Sequence, residues 1–536
     1  MRRHIILVVL GLCTSAYGVA QTDGTKDFQA FRQQMLSGYQ SYRGKVLDDY
    51  AKYLDAVWKD YKAFQGKERY SEPKPHIVPE APAVDATPGV TIPIPDVPLP
   101  QVVPVQAVPV PVEPTQPTEP SKPAEPSKPS KPSRPAVPDL PIPAVPKPTQ
   151  PAEPSKPAEP ALPKPTQPKP AQPAAAQTVQ YDFYTLKAKA PKVELPALAG
   201  SDGHSIGTMW QQLQEADVYG KVQPALDQYR RENRLNDWLT YGLVHAYADA
   251  LYSADDNASA VLTHYLLAHM GYNIRLGRSG SQLLLLVPFR QTVYVRPYLN
   301  VDGTRYSIFM YEGGRDVSRS ITTLSTCQLP ADADLGHNLD LVIGGLAMPG
   351  RGERQKELSD GVMTLSLSVP EVAVDVAGGF VQTEIPVYAG SCLSEAFRAD
   401  LLRQVKSQIQ GLTEVEAVNR LMHFIQFAFD YATDTDQFGY EKPFFVEENF
   451  YYPANDCEDR AVLLAFLVRQ VLGLDVHLLH YPEHEAAAIC FTDQTLQGDG
   501  YTYRGRRYLI CDPTYIGAGI GQCMPRYEGV KPEIEL

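Results

Sequence analysis

Apolar positions change their period several times along this chain. From Phe28 to Phe64 aromatic and aliphatic residues recur at alternating steps of three and four, with Lys, Asp and Gln between them. Eleven residues per three turns, near 3.67, predicts one amphipathic helix within 25–70, with a straight or slightly right-handed seam. Such a stripe is not buried by one helix alone, so it either folds back on a domain or docks as a coiled coil. Residues 205–271 carry helical patterns, including Trp238–Leu251 and Ala260–Met270. Strand patterns follow at Leu283–Val287, Thr292–Val295 and Tyr306–Met310, with a turn at Asp302-Gly303. Residues 338–390 continue as strands, Val362–Val369 and the alternating Val372–Val376 among them, which predicts a β-rich sandwich over 316–395. Beyond it, Thr413–Glu416 is a capping box ahead of a helical run that ends near Phe429. A polar and aromatic loop spans Asp434–Asn455. A second helix opens near Cys457, runs apolar to Leu472 and stops at Gly473. Strands are predicted at Val476–His480, His484–Phe491 and Arg507–Cys511.

Composition separates the two ends. Of 49 prolines, 34 lie between Pro73 and Pro173, and proline recurs every third residue from Pro111 to Pro141. That period matches polyproline II, so 71–176 reads as a spacer arm of ~300 Å reach at ~3.1 Å per residue. It is expected to be extended and nearly free of contacts. Residues 1–20 carry a basic start (Arg2, Arg3), an apolar Ile5–Leu12 run and small residues before Gln21, the pattern of a signal peptide. A lipoprotein signal at Cys13 is the competing reading, and the bulky Leu12 argues against it. The mature chain is therefore expected in a periplasm or outside the cell, with no membrane span after the signal. The net charge of −13 argues against a nucleic-acid partner. Six cysteines beyond the signal, with no CxxC or HxxxH spacing, give neither a disulfide scaffold nor a zinc site. No cofactor and no metal are expected.

Three residues fall at element boundaries. Cys457 opens a helix, where unpaired N–H groups and the dipole favour a thiolate. His484 begins a strand and Asp512 ends the next one. Pairing of those strands brings both to one end of the sheet, where the helix start can meet them: Cys457 as nucleophile, His484 as base, Asp512 orienting the imidazole. The acids around the thiol, Asp456, Glu458 and Asp459, oppose a thiolate and need neutralising, for which Arg460 is the near cation. Asp434–Gly439 starts like a calcium loop, but Phe445 stands where the bidentate Glu belongs, so it reads as a turn beside the cleft. Gln437 is a weak candidate oxyanion donor beside the Cys457 N–H. With His484 opposite Asp512, Cys490 would face Arg506 and not bridge Cys511, whereas Cys327 and Cys392 could bridge.

Asp456-Cys457-Glu458-Asp459-Arg460, Pro482-Glu483-His484 and Cys511-Asp512-Pro513-Thr514-Tyr515, in that order, resemble the transglutaminase-like superfamily over about 400–528, with Phe427–Tyr431 matching its approach helix. The resemblance implies a papain-like Cys–His–Asp core, thioester chemistry and no metal. The expected fold class is α+β: a transglutaminase-like domain at 396–536, the β-rich module at 316–395 and a helical and β domain at 177–315. The Asp256–Ile274 stretch of that last domain echoes Cys457–Val476, as in a degenerate second copy. In the echo Asp255 or Asp256 stands where the nucleophile would be. The expected function is a cysteine hydrolase cleaving peptide or isopeptide amides of a peptide or protein substrate. The alternatives are a transglutaminase joining Gln to amines, and a non-catalytic envelope scaffold or peptide-binding protein. In any of these the N-terminal helix would serve a cell-envelope partner or self-association.

Overall fold

The computed structural model describes residues 58–66, 74, 80, 177–253, 255–326, 336–350 and 352–535. The signal peptide, most of the N-terminal helix, nearly all of the proline-rich arm and Cys327 lie outside the described residues. Where the helical stripe enters them it is a strand, β1 (Lys59–Lys62), whose Tyr61 sits opposite Leu324. Helix propensity is a weak prior, and pairing with an open sheet edge overrides it.

β2 (Thr178–Phe183) and β3 (Leu186–Pro191) form a hairpin. Four helices follow: α1 (Gly203–Glu215), α2 (Val218–Asn233), α3 (Asp237–Tyr252) and α4 (Asp256–His269). Asp202, Asn236 and Asp255 each cap one of them by accepting a backbone N–H at 3.0 Å. Next come β4 (Arg275–Ser279), β5 (Gln282–Pro288), β6 (Tyr298–Val301) and β7 (Thr304–Glu312), then β8 (Arg315–Val317) and β9 (Thr323–Thr326). Their sheet runs β1–β9–β4–β5–β7–β6, with β8 also on β7. The expected Asp302-Gly303 turn joins β6 to β7 with both residues at positive φ. Thr292–Val295 is not a strand; Val293 makes one isolated bridge to Thr383.

The described residues of 316–395 do not form a sandwich. β10 (Gly344–Leu346) pairs in parallel with β13 (Cys392–Ser394), and β11 (Glu353–Ser359) forms a hairpin with β12 (Thr364–Pro370). Val372–Val376 lies in a helix, α5 (Glu371–Gly378), followed by α6 (Ile385–Gly390). Its short Val/Ala run fits both periods. The buried Val372, Ala373 and Val376 share one helical face.

The C-terminal part opens with α7 (Glu395–Ile409) and α8 (Glu414–Ala428), which starts with the expected Thr413–Glu416 capping box. Short elements then line the site: β14 (Asp430–Tyr431), α9 (Asp434–Gln437), α10 (Val446–Asn449) and β15 (Ala454–Asn455). α11 (Cys457–Leu472) is buried from Cys457 through Val468 and ends at Gly473, φ 69°. It packs on β16 (Asp475–Tyr481) and β17 (His484–Cys490) on one side and on α6 and α8 on others. With β18 (Gly500–Tyr503), β19 (Arg506–Cys511) and β20 (Glu533–Glu535) the sheet runs β18–β19–β17–β16–β20.

The two large sheets share one strand order. In each, a buried helix (α4 or α11) leads into four antiparallel strands lying third–fourth–second–first. A later strand, β9 or β20, pairs with the first. The preceding long helix, α3 or α8, packs against the buried one.

Candidate active site

The start of α11 carries the thiol. The Asp456 N–H donates to Asp459 Oδ2 at 3.2 Å, and Asp459 Oδ1 accepts the Phe444 N–H at 2.8 Å, so one carboxylate ties the helix start to the preceding loop. Cys457 is buried. Its Sγ donates to Glu458 Oε2 at 3.3 Å and accepts the backbone N–H of Glu485, the residue after His484. Burial, then the charge of Glu458, pushes this thiol well above the usual range; Lys74 and the Glu485 N–H pull it back. The helix start therefore does not by itself yield a thiolate.

His484 enters β17 from a two-residue turn with Pro482 first and Glu483 second, at φ 60°. Its Nε2 lies 2.8 Å from Asp512 Oδ2, both side chains being buried. Its ring stacks on Tyr527, centroids 5.2 Å apart. Nδ1 is buried with no hydrogen-bond partner among the described residues, so the Cys457 thiol and the imidazole are not bonded in this state. The strands meet two residues from the register that sets His484 opposite Asp512: Ala487 pairs with Cys511 and Ala488 with Ile510. The side chains still meet because Asp512 leaves the strand into a turn, its Oδ1 accepting the N–H groups of Thr514 and Tyr515 at 2.9 and 3.3 Å.

Gln426 on α8 holds that turn from below. Its Nε2 donates toward the carbonyls of Asp512, Tyr515 and Ala518 at 2.9–3.4 Å, and its Oε1 accepts the Gly517 N–H. Gln426→Ala would leave these buried backbone groups unpaired and should lower stability in urea by about 2–4 kcal/mol. Unchanged stability would contradict this account of the loop.

Arg460 does not neutralise the acids. Its guanidinium bonds Asn455 Oδ1 and the Phe429 carbonyl, both at 2.9 Å, and lies over the Tyr431 ring. Among the described residues, the cation at these acids is Lys74. Its Nζ contacts Glu441 Oε1 at 2.7 Å, Asp456 Oδ2 at 3.0 Å and Glu458 Oε1. Asp434, from the loop with the calcium-like start, joins the cluster: Asp456 Oδ2 accepts its N–H, and its own Oδ2 accepts the Lys442 N–H at 2.6 Å. Burial, then the neighbouring Asp456 and Glu458 charges, pushes the Asp434 carboxyl up to about 10. Burial and Glu458 push Asp456 up to about 8. Asp434 forms two close carboxylate groups of a kind that can hold a cation, one with Glu441 and Glu458, one with Asp456 and Asp459. Gln437 donates to the Ala454 carbonyl at 3.2 Å, a tie within the loop.

Sequence reasoning named Cys457, His484 and Asp512 and missed Lys74, Glu441 and Gln426. The one trace of Lys74 was its place between Pro73 and Pro75 at the start of the arm. The remaining cysteines are apart from the site chemistry. Cys392 is a free thiol donating to Glu447 at 2.9 Å, and Cys490 and Cys511 are free and buried. In the first sheet's counterpart, Asp256 opens α4 where Cys457 opens α11, and its carboxylate accepts the N–H groups of Gly313 and Gly314, both at 2.9 Å. Gln282 begins β5 where His484 begins β17. No helix among the described residues is long and apolar enough to cross a membrane. No family model, curated protein or solved structure matches this chain.

Proposed function

We propose that the chain is an exported cysteine hydrolase of transglutaminase-like type, cleaving peptide or isopeptide amides through a Cys457 thioester. One observation carries this reading. His484 is buried, bound through Nε2 to Asp512, and among the described residues keeps Nδ1 free, one residue before the backbone N–H that the Cys457 sulfur accepts. A turn of the thiol from Glu458 to Nδ1 forms the acid–base pair. His484 takes the thiol proton as sulfur attacks the amide carbonyl, then gives it to the departing amine as the C–N bond breaks. Water, deprotonated by the same imidazole, resolves the thioester and releases the acid. Asp512 holds the imidazole in the tautomer that leaves Nδ1 basic. An amine in place of water would make the same chain an acyltransferase. The shared strand order supports a duplication whose first copy, with Asp256 and Gln282, has neither nucleophile nor base.

A non-catalytic, peptide-binding reading is favoured by the raised thiol and its contact with Glu458. Iodoacetamide labelling of the folded chain separates the two. Catalysis requires Cys457 to react at least ~10-fold faster than the equally buried Cys490 and Cys511, and His484→Ala to remove that advantage without changing Cys523. Labelling that follows exposure alone, Cys523 first and no effect of the substitution, would leave the binding reading standing.

A further inference from the structure

We propose that Glu441, Asp456 and Glu458 form a recognition pocket for one primary ammonium group, filled in the resting chain by Lys74. The hydrolase would then take amides that carry an alkylammonium group beside the scissile bond. That last step rests on the proposed function; the pocket itself does not.

The donor count fits. An ammonium has three N–H groups, and three oxygens from three residues receive them, Glu441 Oε1, Asp456 Oδ2 and Glu458 Oε1. A guanidinium asks for planar, paired acceptors, and calcium for six to eight oxygens. The acids come from one short stretch of the C-terminal part, whereas their cation comes from 367–384 residues away in sequence. The pocket also has a polar atom that Lys74 leaves unused. Asp456 is wholly buried, and its Oδ1 has no hydrogen-bond partner among the described residues. That oxygen offers a place for a further polar group of a bound substrate. The nearby Lys442 is engaged elsewhere, with Glu448 and over the rings of Phe438, Phe444 and Tyr452.

A purely structural ion pair would not need this many acids. Three carboxyl groups meet one ammonium, with Asp434 and Asp459 behind, beside a thiol that must ionise. Such a crowd of acids is useful where a cation has to be held at the reacting bond. Lys74 is suited to hold the place because the following Pro75 disfavours helical backbone at Lys74, which lowers the entropy lost when it is seated.

Chemical rescue tests the pocket without reference to turnover. Lys74→Ala in the full chain removes the atoms that n-propylammonium carries. The variant should melt roughly 4–7 °C below the parent. n-Propylammonium chloride should restore at least half of that loss saturably, while the parent does not respond. Potassium and tetramethylammonium chloride at equal ionic strength should restore nothing. If the variant is recovered only as aggregate, refolding yield in n-propylammonium against potassium reads the same binding. No saturable response, or an equal yield in both salts, would overturn the proposal and make Lys74 a structural counter-ion. Rescue by calcium chloride but not by n-propylammonium would overturn it in favour of a divalent cation site. Failure of Cys457 labelling alongside successful rescue would remove the hydrolase and keep the pocket.

Discussion

Asp512→Asn should slow iodoacetamide labelling of Cys457 by about 10-fold or more, toward the rate of the His484→Ala variant, while leaving the chain folded. The argument turns on the two ends of one carboxylate. Oδ2 accepts from His484 Nε2, and Oδ1 accepts from the N–H groups of Thr514 and Tyr515. An amide has one acceptor oxygen. If it stays on the turn, the NH₂ faces His484 and drives the ring proton onto Nδ1, the nitrogen that must take the thiol proton. If it swings to His484, the turn loses two bonds. Circular dichroism distinguishes a local loss from unfolding. A rate within twofold of the parent, on a folded protein, would mean that the His484–Asp512 pair is structural.

The second large effect is on stability against pH. Asp434 and Asp456 have folded-state values raised to about 10 and about 8, against about 4 when unfolded. Between those limits the folded state holds protons that the unfolded state has lost. The stability these groups contribute is therefore fully present below pH 4 and is lost as pH rises through about 8 to 10. A fall on the order of 3–5 kcal/mol between pH 7 and pH 9 is expected, read as unfolding free energy in urea at each pH. Asp434→Asn should flatten much of it and stabilise the chain at pH 9, because the amide oxygen can still accept the Lys442 N–H. A flat profile in the parent, or a steeper one in the variant, would contradict this account of the cluster.

The parts of the site that could be read from sequence are the ones set by local signals. Gly473 and the run before it bound α11, the Pro482-Glu483 turn starts β17, and Asp512-Pro513 ends β19. The register was not legible, for a physical reason. A slip of one residue would turn every side chain of β17 to the other face, but a shift of two keeps each on its own face and leaves the apolar pattern unchanged. Val372–Val376 was too short for its period to decide between helix and strand. Tyr61 and Phe64 carried a helical rhythm, yet the chain there pairs with β9 and Tyr298. Lys74 was beyond reach because nothing in its own neighbourhood encodes an acid cluster more than 360 residues away. The acids themselves asked for a cation, and the nearest one in sequence, Arg460, was the wrong choice.

Lys74 is tied close on both sides. At Gly66 a Cβ would meet the Arg296 backbone at 2.3 Å, so the chain lies hard against the loop before β6 there, and Glu80 bridges Ile516 in the loop after Asp512. Eight residues from Gly66 to Lys74 reach at most ~29 Å at full extension. A group on so short a tether has an effective concentration in the millimolar range. Any free amine therefore competes against a millimolar rival that is never diluted. Small amines and single amino acids at micromolar levels would be shut out. A ligand would displace Lys74 only if contacts elsewhere in the cleft added affinity, which makes the tether a threshold selecting long, multiply anchored chains over their fragments.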